Sequence, residues 1–278
     1  MKTDRSTAQV GVFLTLAALV MVIVAGCRGR GITPDDIPTL IPSIEDYATS
    51  EFMTENAPPP GFRDAVAFPQ VDENLRELEG WRYVMLLEFE GVFSQTNRPT
   101  VARAEATVWY NQIGSARRVL VESSGDLLQR PEGELFEAVS LGPDAFLVRN
   151  QNCLANAEED ARTAASIAAG ELLGGVRRGL PTGQRAIINN VESWRYDFAV
   201  EDMNLPAVRF AEDTTISDLS AELWVAPEFN AVSRYWVTLQ LNNGRLLSND
   251  LPVVGELRLR FDLYDVGDIP NISVPFGC

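Results

Sequence analysis

The sequence predicts an α+β fold: a single, strongly curved antiparallel β-sheet with helices packed on its concave face. Two patterns predict this fold. Several stretches alternate apolar and polar residues with a period of two, and each is bounded by Gly, Pro, Asn, Asp or Ser. One other stretch repeats small and apolar residues at the spacing of a helix. Both patterns lie in residues 61–278, a length that suits one domain with one large core.

The clearest predicted strand is "ELRLRFDLY", where Leu257, Leu259, Phe261 and Leu263 share one face and charged residues occupy the other. Such a strand has one buried side and one solvated side. The same alternation occurs in seven further segments, which are 81–93, 103–111, 116–123, 145–150, 193–200, 220–226 and 233–241. We therefore expect at least eight antiparallel strands. Asn242-Asn243-Gly244, between two apolar stretches, predicts a hairpin turn.

The helical pattern runs from Asn156 to Pro181. Asn156 is the predicted N-cap, and Arg177-Arg178-Gly179 ahead of Pro181 is the predicted stop. The residues at helical spacing are Ala161, Ala164, Ala165, Ala168, Leu172 and Val176. A second, shorter helix is predicted at 71–79.

The N-terminus has the parts of a secretory signal: a positive start with Lys2 and Arg5, an uncharged run over 10–26, and small residues before Cys27. The order Val24-Ala25-Gly26-Cys27 resembles the lipobox of bacterial lipoproteins. That resemblance implies removal of residues 1–26 and lipidation of the Cys27 thiol. The alternative is a short uncleaved anchor helix in which the cysteine is incidental.

Residues 27–60 are predicted to be a lipidated cysteine followed by a flexible tether, because proline recurs and no period of 2 or 3.6 persists. A chain with two or more acyl groups stays at a bilayer, whereas one group holds it only marginally. The protein is therefore expected outside the cytoplasm, anchored to the cell membrane by an N-terminal lipid.

Charge and composition exclude several classes of function. The net charge is −16, and removing Lys2, Arg5 and Asp4 with the signal, a loss of +1, leaves −17. Such a surface repels nucleic-acid phosphates, so no nucleic-acid partner is expected. The chain has no histidine, and Lys2 is its sole lysine, which excludes Ser-His-Asp catalysis, histidine metal sites and lysine Schiff bases. We expect no enzyme and no cofactor.

The acidic clusters also carry no predicted metal site. Neither Glu158-Glu159-Asp160 nor the stretch from Asp262 to Asp268 has the spacing of a calcium loop. They are expected to be a helix start and solvated faces.

Two cysteines remain after Cys27, namely Cys153 and Cys278 at the C-terminus. In an exported protein an even pair usually forms a disulfide, and we expect these two to be joined. The alternative is two unpaired buried thiols.

Three segments, "LPTGQRAIINNVESWRYDF", "SAELWVAPEFNAVSRYWVTLQL" and "LRLRFDLYDVGDIPNISVP", give residues 61–278 a resemblance to the LppX/LprG lipoproteins. Those proteins share a fold with the LolA and LolB lipoprotein carriers. Asn190 stands where that group has a glycine. The resemblance implies a half-barrel whose apolar side meets helices and leaves a cavity for acyl chains.

If the resemblance holds, thirteen residues on the apolar strand faces line that cavity: Met85, Leu87, Phe89, Trp194, Tyr196, Phe198, Leu223, Tyr235, Val237, Leu239, Leu257, Leu259 and Phe261. The alternative is that they fill a solid core, since both arrangements need the same alternation. The first functional hypothesis is an envelope lipoprotein that binds or carries a lipid or acylated molecule. The alternative is a non-catalytic interaction or sensor module of the envelope that recognises a protein partner.

Overall fold

One antiparallel sheet of fourteen strands dominates the part of the chain that the computed structural model describes, residues 57–278. The strands are β1 Val66–Phe68, β2 Gly80–Phe93, β3 Pro99–Asn111, β4 Ala116–Gly125, β5 Arg130–Leu141, β6 Asp144–Arg149, β7 Asn152–Cys153, β8 Gly175–Ile188, β9 Val191–Asp197, β10 Met203–Asn204, β11 Val208–Arg209, β12 Thr215–Ala226, β13 Ala231–Leu246 and β14 Val253–Tyr264. The predicted signal peptide, Cys27 and nearly all of the predicted tether lie outside the described residues.

The strands pair in the order β1-β8-β9-β12-β13-β14-β2-β3-β4-β5-β6-β7, with β10 on β8 and β11 on β13. The path is open, since β1 and β7 are its two ends. The predicted antiparallel sheet is therefore present, with more strands than the alternation alone indicated. Among residues 57–278, no helix is long and apolar enough to cross a membrane.

The two α-helices of the described region are short: α1 spans Glu158–Ala165 and α2 spans Ala169–Leu173. Ala161 and Ala165 of α1 pack against Ala138, Ala145 and Leu147 of β5 and β6. Helix α2 places Ala169 and Leu173 in the main core. Both helices thus contact the face of the sheet that carries the core.

The helix prediction over 156–181 is wrong in its second half. From Gly175 the chain is strand β8, and Val176 pairs with Phe68 on one side and Met203 on the other. Pairing with partners distant in the sequence overrides the local helical spacing. Asn156 is not the N-cap, because it has a left-handed φ of 57° and Ala157 occupies that position.

The second predicted helix, at 71–79, is only a 3-10 turn over Leu75–Glu77. Asn74, just before the turn, has a left-handed φ of 69° and so interrupts helical geometry. The indole N–H of Trp81 donates to the Leu75 carbonyl at 2.7 Å, which takes up an acceptor that a longer helix would use.

The hairpin turn predicted at Asn242-Asn243-Gly244 is also wrong, because β13 continues through these residues to Leu246. The pairing with β14 shifts register between Leu241 and Gly244, so the segment is a bulge in the strand.

Ion pairs and aromatic contacts cover the outer face of the sheet, the one turned away from the core. Asp262, expected to be solvated, is buried there. Its carboxylate accepts hydrogen bonds from Arg234 Nε at 2.8 Å and Trp236 Nε1 at 2.6 Å. Asn189 Nδ2 donates to the same group at 3.2 Å. Three donors compensate for burying this charge.

The disulfide between Cys153 and Cys278 is present, as the sequence predicts. It joins β7, at one end of the sheet, to the last residue of the chain across a separation of 125 residues. The C-terminal segment crosses the strand ends on its way, where the Asn111 side chain donates to the Pro270 carbonyl at 3.0 Å. The bridge therefore fixes that segment against the sheet.

Removing the bridge with the double variant C153A/C278A should lower the free energy of unfolding by about 2–5 kcal/mol, because the unfolded chain loses a long closed loop. Urea unfolding of the full chain measures this. The parent protein should move to the variant's midpoint on addition of reductant, while the variant should not respond to it. Equal midpoints for parent and variant without reductant would contradict the prediction.

A pair of glycines allows β2 and β14 to approach closely, since Gly91 and Gly255 lie directly opposite each other. A Cβ on Gly255 would overlap the carbonyl oxygen of Glu90. The variant Gly255→Ala should therefore destabilise the protein by about 1–3 kcal/mol in urea unfolding. Gly114→Ala is the control, because a Cβ there meets only the Asn111 side chain, at 3.3 Å. A loss no larger than the control's would show that the strands can move apart.

Candidate functional site

The candidate site is the inner face of the sheet, which we define as the face that carries the apolar core. Residues directly opposite each other on antiparallel strands share a face, so the register assigns one row across eight strands. From β9 to β5 that row is Tyr196, Leu223, Tyr235, Phe261, Met85, Ala106, Val121 and Phe136. Every member is apolar or aromatic.

The thirteen residues that the sequence selects as cavity lining come together in or against one core cluster. Twelve of them lie within β2, β9, β12, β13 and β14, and Phe198 follows β9 directly. The most exposed of the twelve is Trp194 at 7%. Phe198 is half-buried and packs against the cluster.

These side chains pack on one another. Trp81 stacks on Tyr83 with ring centroids 5.2 Å apart, and Tyr83 lies 5.2 Å from Phe261. Phe198 stacks on Tyr235 at 6.0 Å. Four surface clefts of about 230 to 340 Å³ are formed by described residues, and none of the four is lined by any of the thirteen.

Two buried tyrosines of the inner face have satisfied hydroxyls. Tyr83 donates to the Ile167 carbonyl at 3.3 Å and accepts from Arg117 at the same distance. Tyr196 donates to the Phe62 carbonyl at 2.7 Å. Burial raises the pKa of both tyrosines above the ordinary value, although Arg117 partly opposes this for Tyr83. Both hydroxyls therefore stay protonated at neutral pH.

Two other polar atoms in this core have no such partner. Neither the Tyr235 hydroxyl nor the Trp194 indole N–H, both shielded from solvent, finds a hydrogen-bond partner among residues 57–278. Burial raises the pKa of Tyr235, so its hydroxyl remains a donor. An unsatisfied buried donor costs about 1–3 kcal/mol, and in a native protein it needs an explanation.

The ladder between β9 and β12 is the short one in this region. Three directly opposed pairs join the strands, from Tyr196/Leu223 to Trp194/Val225, although β12 has twelve residues. The first half of β12 pairs with β13 alone. Half-buried apolar side chains pack against the core at this edge, which we call the seam: Phe198, Ile216, Leu219 and Ala221.

The arrangement offers binding rather than metal chemistry. No group of three or more His, Cys, Asp or Glu side chains in residues 57–278 could hold a metal ion. The inner face can contact apolar chains, and its two free donors can meet an oxygen acceptor.

Sequence reasoning missed the two free donors, because it counted Tyr235 and Trp194 only as apolar surface. A tyrosine or tryptophan at a core position of a strand is the available signal, since each carries a polar group that must find a partner. Which of them lacks one depends on neighbours that the alternation does not reveal.

No protein-family model and no curated protein sequence matches the chain. Among solved structures, it is similar to LprF from Mycobacterium bovis, with 12% identity over 75% of this chain and 93% of that chain and a TM-score of 0.33. An uncharacterised conserved protein from Thermus thermophilus gives 10%, 78%, 89% and 0.24 for the same quantities.

The LolA superfamily protein NE2245 from Nitrosomonas europaea is also similar, with 10% identity over 80% of this chain and 94% of that chain and a TM-score of 0.21. All three TM-scores lie below 0.5, so these similarities are too loose to indicate a function.

The variant Tyr235→Phe should leave the free energy of unfolding unchanged or raise it by up to about 1 kcal/mol, because it removes a hydroxyl without a partner. Tyr196→Phe is the matched control, as this equally buried hydroxyl has a partner, and its loss should cost about 0.5–1.5 kcal/mol. Urea unfolding of both variants checks this. An equal loss in the two would mean that the Tyr235 hydroxyl is also bonded.

Proposed function

We propose that this protein is a non-catalytic lipoprotein of the cell envelope that binds a lipid or an acylated molecule on the inner face of a half-barrel. In this proposal, the thirteen residues selected from the sequence contact the apolar part of the ligand. Lipidated Cys27 holds the protein at the membrane, and residues 27–60 act as the tether.

The observation that carries the proposal is the pair of free donors on an otherwise apolar face. An ester-linked lipid has the complementary chemistry, since its acyl chains are apolar and its carbonyl oxygens accept hydrogen bonds. Acyl burial contributes about 25 cal/mol per Å², and bonds from Tyr235 and Trp194 would satisfy atoms that otherwise remain unpaired.

A lipid needs access to this face, because the described side chains pack closely. The seam is the place for it. Three residue pairs join β9 to β12 there, and the half-buried Phe198 covers the Tyr235 ring. Displacing Phe198 exposes Tyr235 and leaves the longer ladders on both sides intact.

The second candidate is an interaction or sensor module of the envelope with a filled core. The observation in its favour is the near-complete burial of twelve of the thirteen residues. In that case the protein recognises a partner through its outer surface, and the inner face serves stability alone.

A diacylglycerol with a fluorescent acyl chain, titrated into the full chain in mild detergent, separates the two candidates. Phe198→Ala should tighten its binding by about 2- to 10-fold, the equivalent of removing one stacked aromatic pair that the ligand must displace. Phe229→Ala is the control, because Phe229 is another half-buried phenylalanine that packs on the same core.

No binding by the parent or by either variant would reject lipid binding and leave the interaction module. Equal tightening by both variants would mean that access is not at Phe198.

A further inference from the structure

A cleft of about 310 Å³ beside helix α1 has an unusual composition for so acidic a chain. Three arginines line it, Arg76, Arg117 and Arg162, and none of its nine lining residues is acidic. The whole chain carries 39 acidic and 23 basic residues. Three guanidinium groups in one cleft therefore form a local positive site on a negative protein.

Arg117 lies at the base of this cleft and is held in place. It comes from β4, on the inner-face row that includes Tyr110 and Ser140. Its Nη2 donates to the Ile167 carbonyl at 2.6 Å. Its Nε is shielded from solvent and has no hydrogen-bond partner among residues 57–278. The side chain thus keeps one donor that the protein itself does not satisfy.

The other two arginines lie at the rim and are exposed. Arg76 belongs to the 3-10 turn that follows Asn74. Arg162 extends from α1, where its Nη2 donates to the Pro143 carbonyl at 2.6 Å. Its nearest acid is Glu158, at 3.8 Å, which is a weak, solvent-exposed contact. Both guanidinium groups retain donors for a ligand.

Hydroxyl groups complete the lining, from Ser115, Ser140, Ser166 and Tyr110. Ser115 and Ser166 are exposed, whereas Ser140 is half-buried beside Arg117. Hydroxyls and planar guanidinium groups together supply donors in several directions. A tetrahedral oxyanion, with oxygens in several directions, matches such a set better than a planar carboxylate does.

We propose that this cleft binds a phosphate group, as a phosphomonoester or phosphodiester. The phosphate can belong to a lipid headgroup or to a soluble phosphate compound, since the arginines recognise the shared oxyanion. The inference goes beyond lipid binding on the inner face and does not depend on it, because inorganic phosphate alone should occupy the cleft.

Isothermal titration of the full chain in mild detergent tests the site with two probes, inorganic phosphate and dihexanoyl phosphatidic acid. The double variant R76Q/R162Q should weaken the binding of both by about 10- to 100-fold, because it removes two charge-assisted donors. Arg117→Lys keeps the charge but not the fork of donors, and it should weaken binding by about 10-fold.

The control is R178Q/R245Q, which removes the same charge from two exposed arginines outside the cleft. It should bind both probes like the parent protein. Unchanged melting temperatures would show that the variants are folded, as expected for exposed side chains.

The two probes separate the sources of the phosphate. Phosphatidic acid that binds at least 10-fold more tightly than inorganic phosphate would identify a lipid headgroup, and similar affinities would identify a soluble compound. Equal losses in R76Q/R162Q and R178Q/R245Q would overturn the proposal, as would no binding of inorganic phosphate. Phosphatidic acid that binds the parent and R76Q/R162Q alike would overturn the phosphate site while leaving lipid binding on the inner face standing.

Discussion

The register of the long antiparallel ladders is the constraint on which the rest of the structure depends. A shift of one residue in any of them would exchange the inner and outer faces of a strand. The inner face is apolar across eight strands, while Asp262 and its arginine and tryptophan partners lie on the outer face. Such a shift would bury Arg258 and Arg260 and expose Leu257 and Leu259. Register, burial and the candidate site are therefore one property of the chain.

The sequence was sufficient to predict the antiparallel sheet, the shared face of the thirteen inner residues and the disulfide. These follow from local periodicity and from the pairing rule for cysteines in exported proteins. It was not sufficient for the helices. Val176 continues a helical spacing yet lies in β8, because Phe68 and Met203 pair with it from either side. Helix α2 begins where Asp72 accepts hydrogen bonds from the N–H groups of Ala169 and Gly170 at 2.8 Å. Neither contact has a local sequence signal.

The candidate site was predictable as a set of residues but not as a set of atoms. Alternation identifies Tyr235 and Tyr196 equally, yet one hydroxyl has a backbone partner and the other has none among the described residues. The arginine cleft had no signal at all, since Arg76, Arg117 and Arg162 are far apart in the sequence and belong to no motif. The fold alone brings them together.

The inner face and the arginine cleft are adjacent, because Arg117 lies on the inner-face side of β4 and contacts Tyr83 of the core. An apolar surface that ends at guanidinium groups suits a molecule with acyl chains and an anionic head. The close packing of the core sets a condition on this account: the inner face must open before a ligand can reach Tyr235.

Native mass spectrometry of the full chain, extracted from membranes in mild detergent, tests the central claim most directly. The account expects a non-covalent adduct with the mass of one ester-linked lipid per chain, separate from any covalent modification of Cys27. A chain that appears only without such an adduct, before and after incubation with lipid vesicles, would contradict it.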